Sequence, residues 1–205
     1  MTFSIYQLKP KFQQLLSPLL KGLVRLRVTP NQVTVLALLL SLAYGVALAL
    51  FPHCLGLWFG LPLFLLLRMG LNAIDGMLAN ATGQKTRLGA LLNEMCDQVS
   101  DMALYLPFAL LAGIHAPLLV IVLMLALLAE FAGVLAATIG APRRFDGPMG
   151  KSDRAFAFGL LACLSATGGA PHWLNAALLL ILVLSLWTVI NRLRQALHFS
   201  APPTP

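Results

Sequence analysis

Acidic residues are scarce in this chain. It has seven, against fourteen lysines and arginines, in 205 residues. Charge of either sign makes up only 10% of the sequence, while 59% is hydrophobic. A water-soluble domain carries roughly a quarter charged residues, so a fold with an ordinary polar surface is excluded. Cysteine is as thin. Cys54, Cys96 and Cys163 are odd in number and far apart, which excludes a disulfide framework. No internal repeat, low-complexity tract or linker divides the chain. The first 28 residues spread Lys9, Lys11, Lys21, Arg25 and Arg27 through the segment instead of clustering them ahead of an apolar core, unlike a cleavable signal.

What the chain has in quantity is long apolar runs, several near the roughly 20 residues that cross a bilayer core. The pattern predicts an all-α, polytopic membrane protein of six spans, at about 31–51, 57–79, 89–113, 117–140, 154–170 and 174–196. Ahead of them, residues 10–27 place Phe12, Leu15, Leu16, Leu19, Leu20 and Leu23 at helical spacing with bases opposite, the mark of an amphipathic interfacial helix. Residues 1–205 read as one domain, with 1–28 the interfacial helix and 29–196 the six-helix bundle. "TPNQVT" opens the first span, with Thr29 placed to cap it and Pro30 at its first position.

The six-span reading leaves the connections 52–56, 114–116 and 171–173 on one side, and these hold no lysine or arginine. Thirteen of the fourteen bases fall on the other side, which puts both termini in the cytoplasm; the expected location is a bacterial inner membrane. His53, His115 and His172 sit in the base-free connections and read as interface residues. The net charge of +7 suits anionic lipid, not nucleic acid. The fourteenth base, Arg68, lies inside the second span and needs a buried partner.

Four of the seven acids, Asp75, Glu94, Asp97 and Asp101, fall between residues 72 and 101. At about 100° per residue, Arg68, Asn72, Asp75, Gly76 and Ala79 share one helical face, and Asn93, Glu94, Asp97 and Asp101 share another on the next helix. Neither face can meet lipid, so the two should meet each other and form a polar cleft near the cytoplasmic surface. Carboxylate and amide oxygens clustered without histidine or cysteine suit a hard divalent cation, Mg²⁺ or Mn²⁺. Glu130 lies mid-span and should face the cleft or pair with a base.

The stretch resembles the signature of the CDP-alcohol phosphatidyltransferase family, D-x2-D-G-x2-A-R-x8-G-x3-D-x3-D. Here it reads Asn72, Asp75, Gly76, Ala79, Asn80, Gly89, Asn93 and Asp97, with every spacing kept and asparagine at three positions. The resemblance implies a metal-dependent enzyme, commonly a homodimer, that moves a phosphatidyl group from a CDP-linked lipid to an alcohol and releases CMP. Carried onto this sequence, it implies a metal held by Asn72, Asp75, Asn93 and Asp97, with Asp97 also taking the proton of the attacking hydroxyl. Glu94 and Asp101 are placed to restore the missing charge. CDP would lie against Gly76, Ala79, Asn80 and Gly89, with Lys85, Arg87 or Arg68 standing in for the pattern's arginine.

Arg143, Arg144, Lys151 and Arg154 crowd the loop that leads into the fifth span. Guanidinium groups grip phosphate in a bidentate fork, so the acceptor alcohol is expected to bear phosphate, as glycerol 3-phosphate or an inositol phosphate does. Positive-inside topology alone also places bases there. Two rival readings stay open, a family member that binds CDP-lipid without turnover and a small transporter that relays protons through buried acids.

Overall fold

The computed structural model describes the backbone of residues 9–199 and the side chains of residues 13–199. Among the described residues seven α-helices follow one another: α1 (Lys9–Arg25), α2 (Pro30–Leu50), α3 (Leu55–Ala81), α4 (Arg87–Tyr105), α5 (Ala116–Leu135), α6 (Lys151–Ala166) and α7 (Pro171–Leu197). Short 3-10 segments extend α4 through Leu110 and α5 through Ile139. No strand occurs among the described residues.

α2 starts where the sequence predicts. Thr29 Oγ1 accepts from the Gln32 amide at 3.3 Å, and Gln32 Oε1 accepts from the Thr29 amide at 2.9 Å. Two donors that the first turn would leave unpaired are thus satisfied reciprocally. α1 divides its apolar face. Leu16, Leu20 and Leu23 pack with Val33, Leu71, Ile74 and Leu78, while Leu15 and Leu19 remain exposed. The side chain of Phe12 lies outside the described residues.

α2 packs on α3 and α4, α3 on α6, and α5 on α7. One apolar core runs through all six later helices, with Trp58, Tyr105, Phe108 and Phe158 stacked or edge-on at its centre. Leu39 and Val46 of α2, Leu63 of α3, Met124 of α5 and Leu180 of α7 point outward and are exposed, an arrangement that suits lipid and not water. Among the described residues four helices, Pro30–Leu50, Leu55–Ala81, Ala116–Ile139 and Pro171–Leu197, are long and apolar enough to cross a membrane. The other two expected spans differ for a physical reason. α4 carries Arg87, Glu94, Asp97 and Asp101, and α6 has 16 residues and opens on Lys151, Asp153 and Arg154. α6 also begins three residues earlier and ends four earlier than the hydropathy pattern predicts.

The approach of α2 to α4 depends on Gly45. A Cβ there would lie 2.2 Å from the Ala103 carbonyl oxygen, a backbone atom that cannot move aside. Gly45→Val is therefore expected to destabilise the fold by about 1–3 kcal/mol through overpacking. Gly56→Ala, with nothing within 4 Å of the added carbon, should be neutral or slightly stabilising. Denaturant unfolding of the detergent-solubilised variants checks both, and equal stability of the two would refute this account of the α2–α4 contact.

Candidate active site

The polar faces of α3 and α4 meet as their helical periodicity requires. Asn72 Nδ2 donates to Asp97 Oδ1 at 2.9 Å. Arg68 pairs with Asp101 Oδ1 at 2.5 Å, donates to the Asp97 carbonyl at 2.9 Å, and approaches Asp97 Oδ1 at 3.6 Å. Asp75 is buried, and its Oδ2 accepts from the Thr34 hydroxyl of α2 at 2.8 Å. Beside it opens a cavity of about 280 Å³ whose wall includes Thr34, Asp75, Gly76, Ala79, Gly89 and Asn93. A Cβ on Gly76 would meet nothing within 4 Å, so that edge of α3 faces open space. On Gly89 it would come within 2.9 Å of Asn31 Oδ1. Asp97 follows Asn93 by one helical turn.

Of the residues assigned to CDP from sequence, Gly76, Ala79, Lys85 and Gly89 line this cavity, while Asn80 and Arg87 are not part of its wall. Sequence reasoning missed Thr34, Asn31, Gln84 and Thr86. Thr34 carried a signal, as a hydroxyl five residues past the cap in a mainly apolar helix.

A second set of charges closes the site from the far side. Lys151, at the head of α6, forms an ion pair with Asp97 Oδ2. Arg154 is completely enclosed and bonds Asp101 Oδ2 at 3.2 Å, Glu130 Oε1 at 3.1 Å and the Met149 carbonyl at 3.4 Å. Arg192 of α7 reaches Glu130 Oε2 at 3.3 Å and the Ala129 carbonyl at 2.6 Å. Arg143 pairs with Glu94 and lies 3.7 Å from Glu130 Oε2. Glu130 thus finds the base expected of a mid-span acid, three times over. Two sequence expectations land elsewhere. Arg154 lies beneath the surface among acids and not in the open loop, because the head of α6 turns it into the bundle. Asp101 is committed to Arg68 and Arg154 and is not part of the cavity wall. Arg192, read from sequence as a topological base only, is a member of the network.

The loop between α5 and α6 is held down along its length. The Arg144 amide donates to the Gly133 carbonyl at 3.0 Å, Arg192 Nε to the Asp146 carbonyl at 3.2 Å, and the Met149 amide to Thr188 Oγ1 at 2.9 Å. Gly147, at φ 125°, has the Thr188 side chain so close that a Cβ would fall within 2.6 Å. Arg143, Arg144 and Lys151 are all half-buried; Lys151 meets Asp97, Arg143 lies against Glu94 and Glu130, and Arg144 Nε sits on Asp146 Oδ2 at 2.8 Å.

Among the described residues no three histidine, cysteine, aspartate or glutamate side chains converge as a ready-made metal site. The donor chemistry still fits one hard divalent ion. Asp75 and Asp97 supply carboxylates and Asn93 an amide. Asn72, whose Nδ2 is spent on Asp97, keeps its Oδ1 as a neutral donor. The Lys151 ammonium against Asp97 marks a place where positive charge already rests.

The CDP-alcohol phosphatidyltransferase family pattern matches residues 27–198. Inner membrane protein YnbA of Escherichia coli (strain K12) is 46% identical over 97% of this chain and 98% of its own length. Phosphatidylinositol phosphate synthase of Corynebacterium glutamicum is 30% identical over 90% of this chain and 84% of its own. The phosphatidylinositol phosphate synthase of Mycobacterium tuberculosis, solved with CDP-DAG bound, has the same fold, with a TM-score of 0.75 at 25% identity over 90% of this chain and 94% of that one. The same enzyme in complex with manganese and citrate matches with a TM-score of 0.73 at 26% identity, over 88% of each chain. With the signature spacing kept from Asn72 to Asp97 and the match running nearly end to end, this integral membrane chain belongs to the CDP-alcohol phosphatidyltransferase family.

Proposed function

We propose that the protein transfers a phosphatidyl group from CDP-diacylglycerol to an alcohol that itself bears phosphate, releasing CMP at the cytoplasmic leaflet. The observation that carries this reading is the cavity bounded by Asp75, the open edge of Gly76, and Asn93, with Asp97 one turn away and paired with Lys151 at the head of α6. The relatives named for phosphatidylinositol phosphate, a product whose headgroup keeps its own phosphate, favour a phosphorylated acceptor. In this reading α4 and α6 also cross the membrane, since their charges pair inside the bundle and need not meet lipid. The bases then gather on the cytoplasmic side, with both termini, and α1 lies in the interface plane with Leu15 and Leu19 toward lipid. We extend the reading to a homodimer, as the family resemblance implies.

The chain's own groups divide the work. Gly76 and Ala79 leave room for the nucleotide, with Lys85 at the cavity wall for its diphosphate. Arg143 and Arg144 receive the acceptor's phosphate, and the enclosed Arg154 supports them from below. The acceptor oxygen attacks the phosphorus that carries diacylglycerol. The new P–O bond forms as the bridging P–O bond to CMP breaks, and the hydroxyl proton passes to Asp97. Arg68 holds the α4 backbone at Asp97, and Asn72 orients its carboxylate. Bound by Asp75, Asp97, Asn72 and Asn93, Mg²⁺ or Mn²⁺ would supply neutralisation of the diphosphate charge.

Asparagine at positions 72, 80 and 93 supports a second reading, a relative that binds CDP-lipid without turnover. CMP release from CDP-diacylglycerol across a panel of acceptors separates the two. Turnover should be fastest with inositol phosphate or glycerol 3-phosphate. Arg143→Ala and Arg144→Ala should raise the acceptor KM, by roughly tenfold or more, with CDP-lipid binding little changed. A preference for serine or another unphosphorylated alcohol would overturn the acceptor assignment. CDP-lipid binding without CMP would establish the second reading.

A further inference from the structure

The ion pairs that join α3 to α7 contain five bases, Arg68, Arg143, Lys151, Arg154 and Arg192, and four acids, Glu94, Asp97, Asp101 and Glu130. Asp75, beside them at the cavity, brings the sum to zero. A site with aspartate at positions 72 and 93 would instead carry two surplus negative charges. A divalent ion entering this site therefore meets an environment already neutral, and one of its two carboxylates already has a cation. Arg68 and Arg154 are enclosed and cannot leave. Lys151 differs: it is half-buried, its side chain 27% exposed, and it stands at the first residue of α6 on a flexible stem.

We propose that Lys151 is a built-in competitor of the divalent cation, so that the two are alternative counter-ions of Asp97. Metal loading then waits for phosphate groups that draw the ammonium off Asp97 and bring negative charge of their own. The lysine is a positioning residue: it keeps Asp97 folded into the network until substrate arrives and couples metal affinity to phosphate binding. This inference rests on the metal-assisted transferase reading above, and it is tested without turnover.

The experiment is Mn²⁺ titration of purified, detergent-solubilised protein, with free Mn²⁺ read by its electron paramagnetic resonance signal. The wild type is compared with Lys151→Met, Lys151→Gln and Lys151→Arg, and the Lys151→Met change is repeated on an Asn72→Asp, Asn93→Asp background, whose two added carboxylates are expected to strengthen ion binding. Removing the ammonium should tighten Mn²⁺ on the order of tenfold in either background, with Lys151→Gln following Lys151→Met. Lys151→Arg, which keeps the charge, should stay near wild type. Unchanged or weaker Mn²⁺ binding in the folded Met or Gln variant, on either background, overturns the proposal. CMP release is measured separately. A protein that shows the Lys151 effect but no turnover keeps the competitor and loses the transferase reading.

Discussion

Asp97→Asn is expected to reduce CMP release by about two to four orders of magnitude while leaving CDP-lipid binding measurable. In Asp97 the two halves of the site converge next to the cavity. Its Oδ1 takes the Asn72 amide, its Oδ2 takes Lys151, and its backbone carbonyl takes Arg68. Asparagine preserves the shape and can keep a contact to Lys151, but it has no basic oxygen for the proton of an attacking hydroxyl. Asp75→Asn should differ in kind. Asp75 lies in the cavity wall, so its loss should weaken donor binding as well as turnover. Single-turnover CMP release, beside equilibrium binding of CDP-diacylglycerol, resolves the two. If Asp97→Asn turned over within threefold of wild type, proton transfer would have to be assigned to another group.

The second large effect concerns stability. Asp101→Leu should cost about 3–5 kcal/mol, because it leaves two enclosed guanidinium groups without their shared carboxylate. Asp101 bonds Arg68 at 2.5 Å and Arg154 at 3.2 Å and is itself buried. From sequence it is a spare metal ligand, and its loss would register as a modest drop in activity. In the structure it holds α3, α4 and α6 together, and its loss should register first as a lower unfolding midpoint in detergent. Combining Asp101→Leu with Arg68→Met and Arg154→Met should recover part of the loss, since replacing a whole buried ion set costs less than breaking it. An Asp101→Leu protein as stable as wild type would mean that this network contributes nothing to the fold.

Local patterns made much of this molecule legible in advance. The cap at Thr29, the positions of α2, α3, α5 and α7, and the shared face of Arg68, Asn72 and Asp75 all follow from side chains within a few residues of one another. Helical periodicity is a short-range property. The signature from Asn72 to Asp97 was equally visible, because it spans one helix pair and its connecting loop. α6 was placed less well. Its opening turn carries Lys151, Asp153 and Arg154, so a hydropathy pattern starts the helix too late, although Asp153 Oδ2 accepts from the Gly150 amide at 3.1 Å and caps it.

By itself the sequence determined that apolar helices dominate and that acids on two successive helices must face inward. Lipid tolerates neither unpaired backbone nor bare charge, so composition alone leaves few alternatives. Only the tertiary structure decided which charge meets which. Arg154 finds Asp101 across 53 residues and Glu130 across 24, and Lys151 reaches Asp97 from the head of another helix. Those pairings depend on how α6 and α7 cross α3, α4 and α5. Helix crossings are set by ridges, grooves and close approaches such as Gly45 on Ala103 and Gly159 on Pro62. A carboxylate in the sequence carries no mark of whether it will hold a metal, accept a proton or bind two arginines in the core. Burial and the neighbours brought to it from distant helices assign Asp75, Asp97 and Asp101 to different surroundings.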